Sequence, residues 1–248
     1  MNRPRLAVCA VCLVGLLFGC RNKMVPRRAT RQYIVLIDLS ASRDNESRNE
    51  AQQFVQKLTN SLDFGDQLIL LPIQQEGLTD HEKVGVFTVS SVRTPGYMTS
   101  TDRGNREGDR QTAFDHVKNY FDIPAGVKIQ HTDIFATLAL AADYVHDSKA
   151  TSSEILILSD MLQSDRKFEM QHLQRMPTHQ WISSQSAAGQ LPRLAGACIA
   201  IIGEDRTSKD DPKIREFWAD YFQQAQAKLR PEDVRPTAPA SPDDICGN

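Results

Sequence analysis

The chain lacks the common signatures of covalent and nucleotide chemistry. No Gly-Lys-Ser/Thr loop, Gly-x-Gly-x-x-Gly turn or Gly-x-Ser-x-Gly elbow occurs, which removes the usual nucleotide-binding and serine-hydrolase signals. The six histidines show no His-Glu-x-x-His spacing, so a zinc-protease helix is absent too. Charge of one sign is also missing. With 29 basic and 31 acidic residues the net charge is −2, and no basic excess favours nucleic acid as a partner. Long apolar runs are absent: the longest, Leu6 to Phe18, is 13 residues and falls short of the roughly 20 that span a bilayer. Cysteine is sparse. Of five, Cys9 and Cys12 lie in that apolar stretch, Cys198 sits inside the run Ala197-Cys-Ile-Ala-Ile-Ile202, and Cys246 sits in a polar tail. Cys198 is expected to pack as a small hydrophobe, with a disulfide to Cys246 as the alternative an oxidising compartment would permit.

What is present begins with an address. Arg3 and Arg5 precede the apolar stretch, and Leu17-Phe18-Gly19-Cys20 resembles the lipobox at which bacterial prolipoproteins are cleaved and lipidated. The resemblance implies a signal peptide over residues 1–19, a lipidated Cys20 and a membrane-anchored protein of the bacterial cell envelope. Residues 20–31 carry Arg21, Lys23, Arg27, Arg28 and Arg31 and no acid, a basic tether suited to anionic headgroups. Without residues 1–19 the balance is 27 basic to 31 acidic, in 229 residues, enough for one domain with a full core.

Helix and strand signals then alternate. Tyr33-Ile-Val-Leu-Ile37, Gln67-Leu-Ile-Leu-Leu71, Val84-Gly-Val-Phe-Thr-Val89, Glu154-Ile-Leu-Ile-Leu158 and the Cys198 run read as five strands. The third follows the second through a polar turn that fits a hairpin, which makes it an antiparallel edge. Ala51, Phe54, Val55, Leu58 and Leu62 mark one face of a helix, capped by Asp44 or Asn45. Phe114, Val117 and Phe121 mark a short second helix, and Ile134, Leu138, Ala141, Ala142 and Val145 a third. A helix is expected near Lys167 to Arg175, and another carries Ile214, Phe217, Trp218, Tyr221 and Phe222. The polar stretch from Ser90 to Arg110 reads as a mobile loop, and residues 230–248, with four prolines, as a disordered tail. The fold class is therefore α/β: a doubly wound, mostly parallel central sheet with one antiparallel edge strand and helices on both faces, over residues 32–229.

The chemistry sits at the strand ends. Asp38-Leu-Ser-Ala-Ser42 follows the first strand and offers one carboxylate and two hydroxyls at alternate positions, donors for a hard divalent cation. Thr132 and Asp133 open the third helix, and Asp160 closes the Glu154 strand. In an open α/β sheet, ligands bind beyond the carboxyl ends of the strands, where Asp38 and Asp160 would meet if their strands are neighbours. A haloacid-dehalogenase-type phosphotransferase would need an acid at position 40, where Ser40 stands.

The order Asp-x-Ser-x-Ser, then a Thr heading a helix, then an Asp ending a hydrophobic strand resembles the von Willebrand factor A domain and its metal-ion-dependent adhesion site. The resemblance implies a Mg²⁺ or Mn²⁺ ion held by Asp38, Ser40, Ser42, Thr132 and Asp160, with a partner carboxylate completing its sphere. It also implies six strands, one more than the five read here. The family often has Gly after the last Asp, where this chain has Met161, and a Gly-rich approach to the Thr, where it has Gln130-His131. Asp133 and Asp165 read as helix caps and His131 as a solvated loop residue. No clear general base or nucleophile accompanies the metal residues, so the chain is expected not to be an enzyme. The function that follows is a membrane-anchored, cation-dependent module that binds a protein presenting Asp or Glu, with a purely structural or assembly role as the alternative.

Overall fold

A computed structural model describes residues 30–40, 45–73, 84–90, 98–122, 131–172, 175–203 and 211–247. Residues 1–29, with the expected signal peptide, Cys20 and most of the expected tether, lie outside the described residues, as do Ser42, Asp44, Gln130 and residues 91–97 of the expected loop.

The apolar runs form the strands β1 (Arg31–Asp38), β2 (Gln67–Ile73), β3 (Gly85–Thr88), β4 (Ser152–Leu158) and β5 (Cys198–Ile202). A sixth, β6 (Lys228–Arg235), completes one sheet of order β3-β2-β1-β4-β5-β6. Every neighbouring pair is parallel except β2 with β3, so the expected antiparallel edge is there. Strands β1 and β4 are buried on both faces, which is why they read as unbroken runs rather than alternating patterns.

Helices α1 (Asn45–Ser61) and α2 (Ser100–Phe121) cover one face, packing Phe54, Val55, Leu58 and Val117 onto Tyr33, Val35 and Ile37. Helices α3 (Ile134–Asp147), α4 (His179–Ala187) and α5 (Asp211–Gln224) cover the other. They set Leu138, Ile182, Phe217 and Trp218 against Ile34, Leu36 and Ile155. The doubly wound α/β class is thus the observed one.

Four expectations are corrected. Residues 100–110, expected as loop, are the first half of α2. This half buries only Asp102, and it is held by polar means: a capping box between Thr99 and Asp102, the Arg106–Asp63 ion pair, and Arg110 donating to the Leu62 carbonyl. Among the described residues, 167–172 form no helix: Ser164 pairs as an isolated bridge with Thr132 and with Glu169, and residues 173–174 lie outside the described residues. The tail from residue 230 is ordered. Its first part is β6, an edge strand that tolerates Pro231 and meets β5 through a register shift. Its last part folds back over the α1 face, where Ile245 is 1 % exposed and Ala238 donates its N–H to Glu50 at 2.7 Å. Finally, Cys198 and Cys246 are joined in a disulfide, their Cα atoms 6.0 Å apart. The return of the tail brings them together.

Candidate metal centre at the carboxyl edge of the sheet

Five strands of the sheet run the same way, so their carboxyl ends line one edge. There Asp38, the last residue of β1, stands beside the residues that follow β4, since Ile37 pairs with Leu158. Asp38 is 3 % exposed, and both of its oxygens are used. Oδ1 accepts the Ser40 N–H at 2.9 Å and Oδ2 accepts the Ser159 hydroxyl at 2.7 Å. Ser159 Oγ in turn accepts the Met161 N–H at 3.0 Å, so one hydrogen-bonded chain ties the β4 turn to the β1 turn. Bonds of this kind orient the carboxylate while leaving it further lone pairs. The β1 turn is also fixed from above: Arg48 of α1 donates to the Ser40 carbonyl at 2.6 Å.

Asp160 is half-buried and accepts the Leu162 N–H at 3.1 Å, a local turn that aims the segment back across the edge. Met161, in the place of the family's Gly, is at φ 63°, the left-handed region that Gly adopts without cost. Its side chain is buried, and its carbonyl accepts the Trp218 indole N–H at 2.9 Å. The Thr132 loop arrives from the other side. Thr132 exchanges two backbone hydrogen bonds of 2.9 Å with Ser164, which zips it onto the segment after Asp160. Thr132 is 4 % exposed. Asp133 caps α3 by accepting the Ala136 N–H, as expected. Burial raises the Asp133 pKa; the Ala136 N–H and the Gln163 amide oppose that, and Asp165 adds to it.

Of the five expected metal residues, Asp38, Ser40, Thr132 and Asp160 are carried to this edge on two adjacent strand ends and one zipped loop, and Ser42 lies outside the described residues. The donor set is carboxylate and hydroxyl oxygen, which fits a hard divalent ion. Two supporting residues, Gln163 and Arg48, carry no sequence pattern, and Ser159 carries only a faint one, a hydroxyl beside the strand-ending acid.

Two other features lie elsewhere. Cys198, Asp233 and Cys246 bring ligand-type atoms within 4.8 Å of one another, but the sulfurs are joined in the disulfide and supply no thiolate. A cavity of about 740 Å³ opens at the amino ends of β4, β5 and β6, lined among others by Glu154, Lys228 and Arg230, and holds none of the expected metal residues.

No protein-family model matches the sequence, and no curated protein does. Solved structures resemble the chain. Proximal thread matrix protein 1 from the mussel byssus, in a form with a zinc-occupied metal-ion-dependent adhesion motif, is 13% identical, with TM-score 0.40, covering 82% of this chain and 44% of its own. The pilus adhesin SpaC from Lactobacillus rhamnosus GG is 11% identical, with TM-score 0.44, covering 84% and 28%. A von Willebrand factor type A protein from Catenulispora acidiphila is 14% identical, with TM-score 0.42, covering 81% and 38%. The chain therefore spans less than half the length of each of these, and identities this low carry no residue roles across. No described helix is long and apolar enough to cross a membrane.

Proposed function

We propose that the chain is a binding module of the von Willebrand factor A type, tethered to a bacterial envelope membrane through lipidated Cys20. In this reading Asp38, Ser40, Ser42, Thr132 and Asp160 hold a Mg²⁺ or Mn²⁺ ion. When bound, the ion supplies a Lewis-acidic position that an Asp or Glu of a protein partner can occupy. The observation that carries the reading is the convergence of the Asp38, Asp160 and Thr132 segments through Ser159 and Ser164. Two acidic ligands among neutral hydroxyls leave the ion residual positive charge, which favours an external carboxylate.

β1 runs from Arg31, the end nearer Cys20 in the chain, to Asp38; in this reading the metal edge faces away from the membrane. The disulfide accords with an oxidising compartment. We favour binding over hydrolysis because the resemblance that supplies the five oxygen ligands supplies no catalytic group with them. The test is capture from envelope extract on immobilised protein, with Mg²⁺ and with chelator. The expected result is a partner retained only with Mg²⁺ and lost in Asp38→Ala; capture indifferent to both treatments would refute the reading.

A further inference from the structure

Gln163 lies three residues past Asp160, is 0% exposed, and satisfies its whole amide at one spot. Its Oε1 accepts the Ile134 N–H at 2.7 Å and the Phe135 N–H at 3.4 Å, the first donors of α3. Its Nε2 donates to Asp133 Oδ1 at 3.2 Å and to Asp165 Oδ2 at 2.8 Å. The orientation is forced, because a backbone N–H can only donate and an ionised carboxylate can only accept. One neutral amide thus faces the N-terminal donors of the Thr132 helix on one side and two carboxylates on the other. Asp165 is anchored independently, its Oδ1 accepting the N–H groups of Lys167 and Phe168 at 2.6 Å each.

Resting on the metal-binding reading above, we infer that Gln163 is a positioning residue for the cation. By clamping the start of α3 to the loop after β4, it fixes the Thr132 hydroxyl relative to Asp160 without touching the metal. Nothing but an amide does this. A carboxylate at 163 would keep the α3 contacts and lose both donors, placing a third negative charge against Asp133 and Asp165. An apolar side chain would take from the Ile134 and Phe135 N–H groups the acceptor that Gln163 supplies, and from Asp133 and Asp165 the donor they share.

The logic can be reversed, which separates positioning from general damage. Asp165→Asn keeps Oδ1 for the Lys167 turn but turns Oδ2 into a donor, which conflicts with Gln163 Nε2. Combined with Gln163→Glu, that same donor meets the new carboxylate. Mn²⁺ titrations on wild type, each single variant and the double variant form a cycle, with thermal melting in chelator confirming that each is folded. The expected result is about tenfold or greater loss of Mn²⁺ affinity in Gln163→Glu, a smaller loss in Asp165→Asn, and recovery of several-fold in the double variant relative to Gln163→Glu. Because Asp165→Asn alters a partly exposed side chain, it keeps the test alive if Gln163→Glu unfolds. Wild-type affinity in Gln163→Glu, or losses that simply add in the double variant, would overturn this inference while leaving the metal site standing. Absence of Mn²⁺ uptake by the wild type would overturn both.

Discussion

Met161 poses a contest between two residue-scale effects. Its φ of 63° places it in the left-handed region, which costs a non-glycine residue roughly 1–2 kcal/mol. Its side chain is 1 % exposed in the core beneath α5, and truncating a buried methionine costs about 2–5 kcal/mol. Burial is the larger, so Met161→Gly should lower the unfolding free energy by about 1–3 kcal/mol in urea denaturation, even though it restores the residue the family favours there. A gain in stability would mean that strain outweighs packing. A second residue-scale effect depends on pH. For Asp220, burial pushes the pKa up, but the hydrogen bonds from His179 at 2.6 Å and Gln224 at 2.9 Å, with the His179 charge, pull it further down, below its ordinary 3.8. A carboxylate whose folded pKa is depressed contributes stability that is present above its unfolded value and is lost as pH falls through the folded one. Asp220→Asn should therefore lose less stability than the wild type as pH is lowered below about 3.8, by a small margin because the pair is solvent-exposed. Acid denaturation curves compared at matched ionic strength measure it; parallel curves would show that the pair is inert.

At the scale of elements, the outermost strand β6 is held by chemistry rather than by apolar pattern. Asp233 is buried against the Arg230 guanidinium at 2.6 Å and accepts the Cys246 N–H at 3.1 Å, and the disulfide closes a span of 48 residues around it. A cross-link over a loop of that length stabilises by about 4 kcal/mol in the chain-entropy picture. The Cys198→Ala/Cys246→Ala variant should lose a large part of that in urea denaturation, with exchange protection falling first in β6 and the returning tail; unchanged stability would show that the tail packs without the bond. The same elements mark where the sequence was opaque. β1 and β4 were legible because helices cover both faces of the sheet and the stretches Tyr33–Ile37 and Ile155–Leu158 are wholly apolar. β6 was not, because an edge strand with Pro231 and a bulge needs no alternation, and its buried Asp233 looks like a tail residue until Arg230 is beside it. The charged half of α2 was opaque for a like reason: its capping box and arginine contacts leave no period of hydrophobes. At the candidate site, the expected metal residues stood out as oxygen donors at two strand ends and one helix start. Gln163 did not, since a single amide has no spacing and gains its meaning only when two loops enclose it.

At the scale of the whole molecule, the sheet gives the chain two unlike ends. The carboxyl edge gathers Asp38, Ser40, Thr132 and Asp160 on turns tied to one another by Ser159 and Ser164 and to the helices by Arg48 and Trp218. The amino edge carries the start of β1 at Arg31 and the stapled tail at Cys246. With the proposed anchor at Cys20, such a protein would be held at one end and present a polar site at the other, with the sheet as a spacer between them. That division of labour stands or falls with the cation. Isothermal titration of Mn²⁺ and Mg²⁺ into the metal-free, purified protein tests it most directly. One saturable site per chain is expected, lost in Asp38→Ala while the variant remains folded; no binding of either ion by the wild type, or binding that survives Asp38→Ala unchanged, would contradict a cation site at this edge.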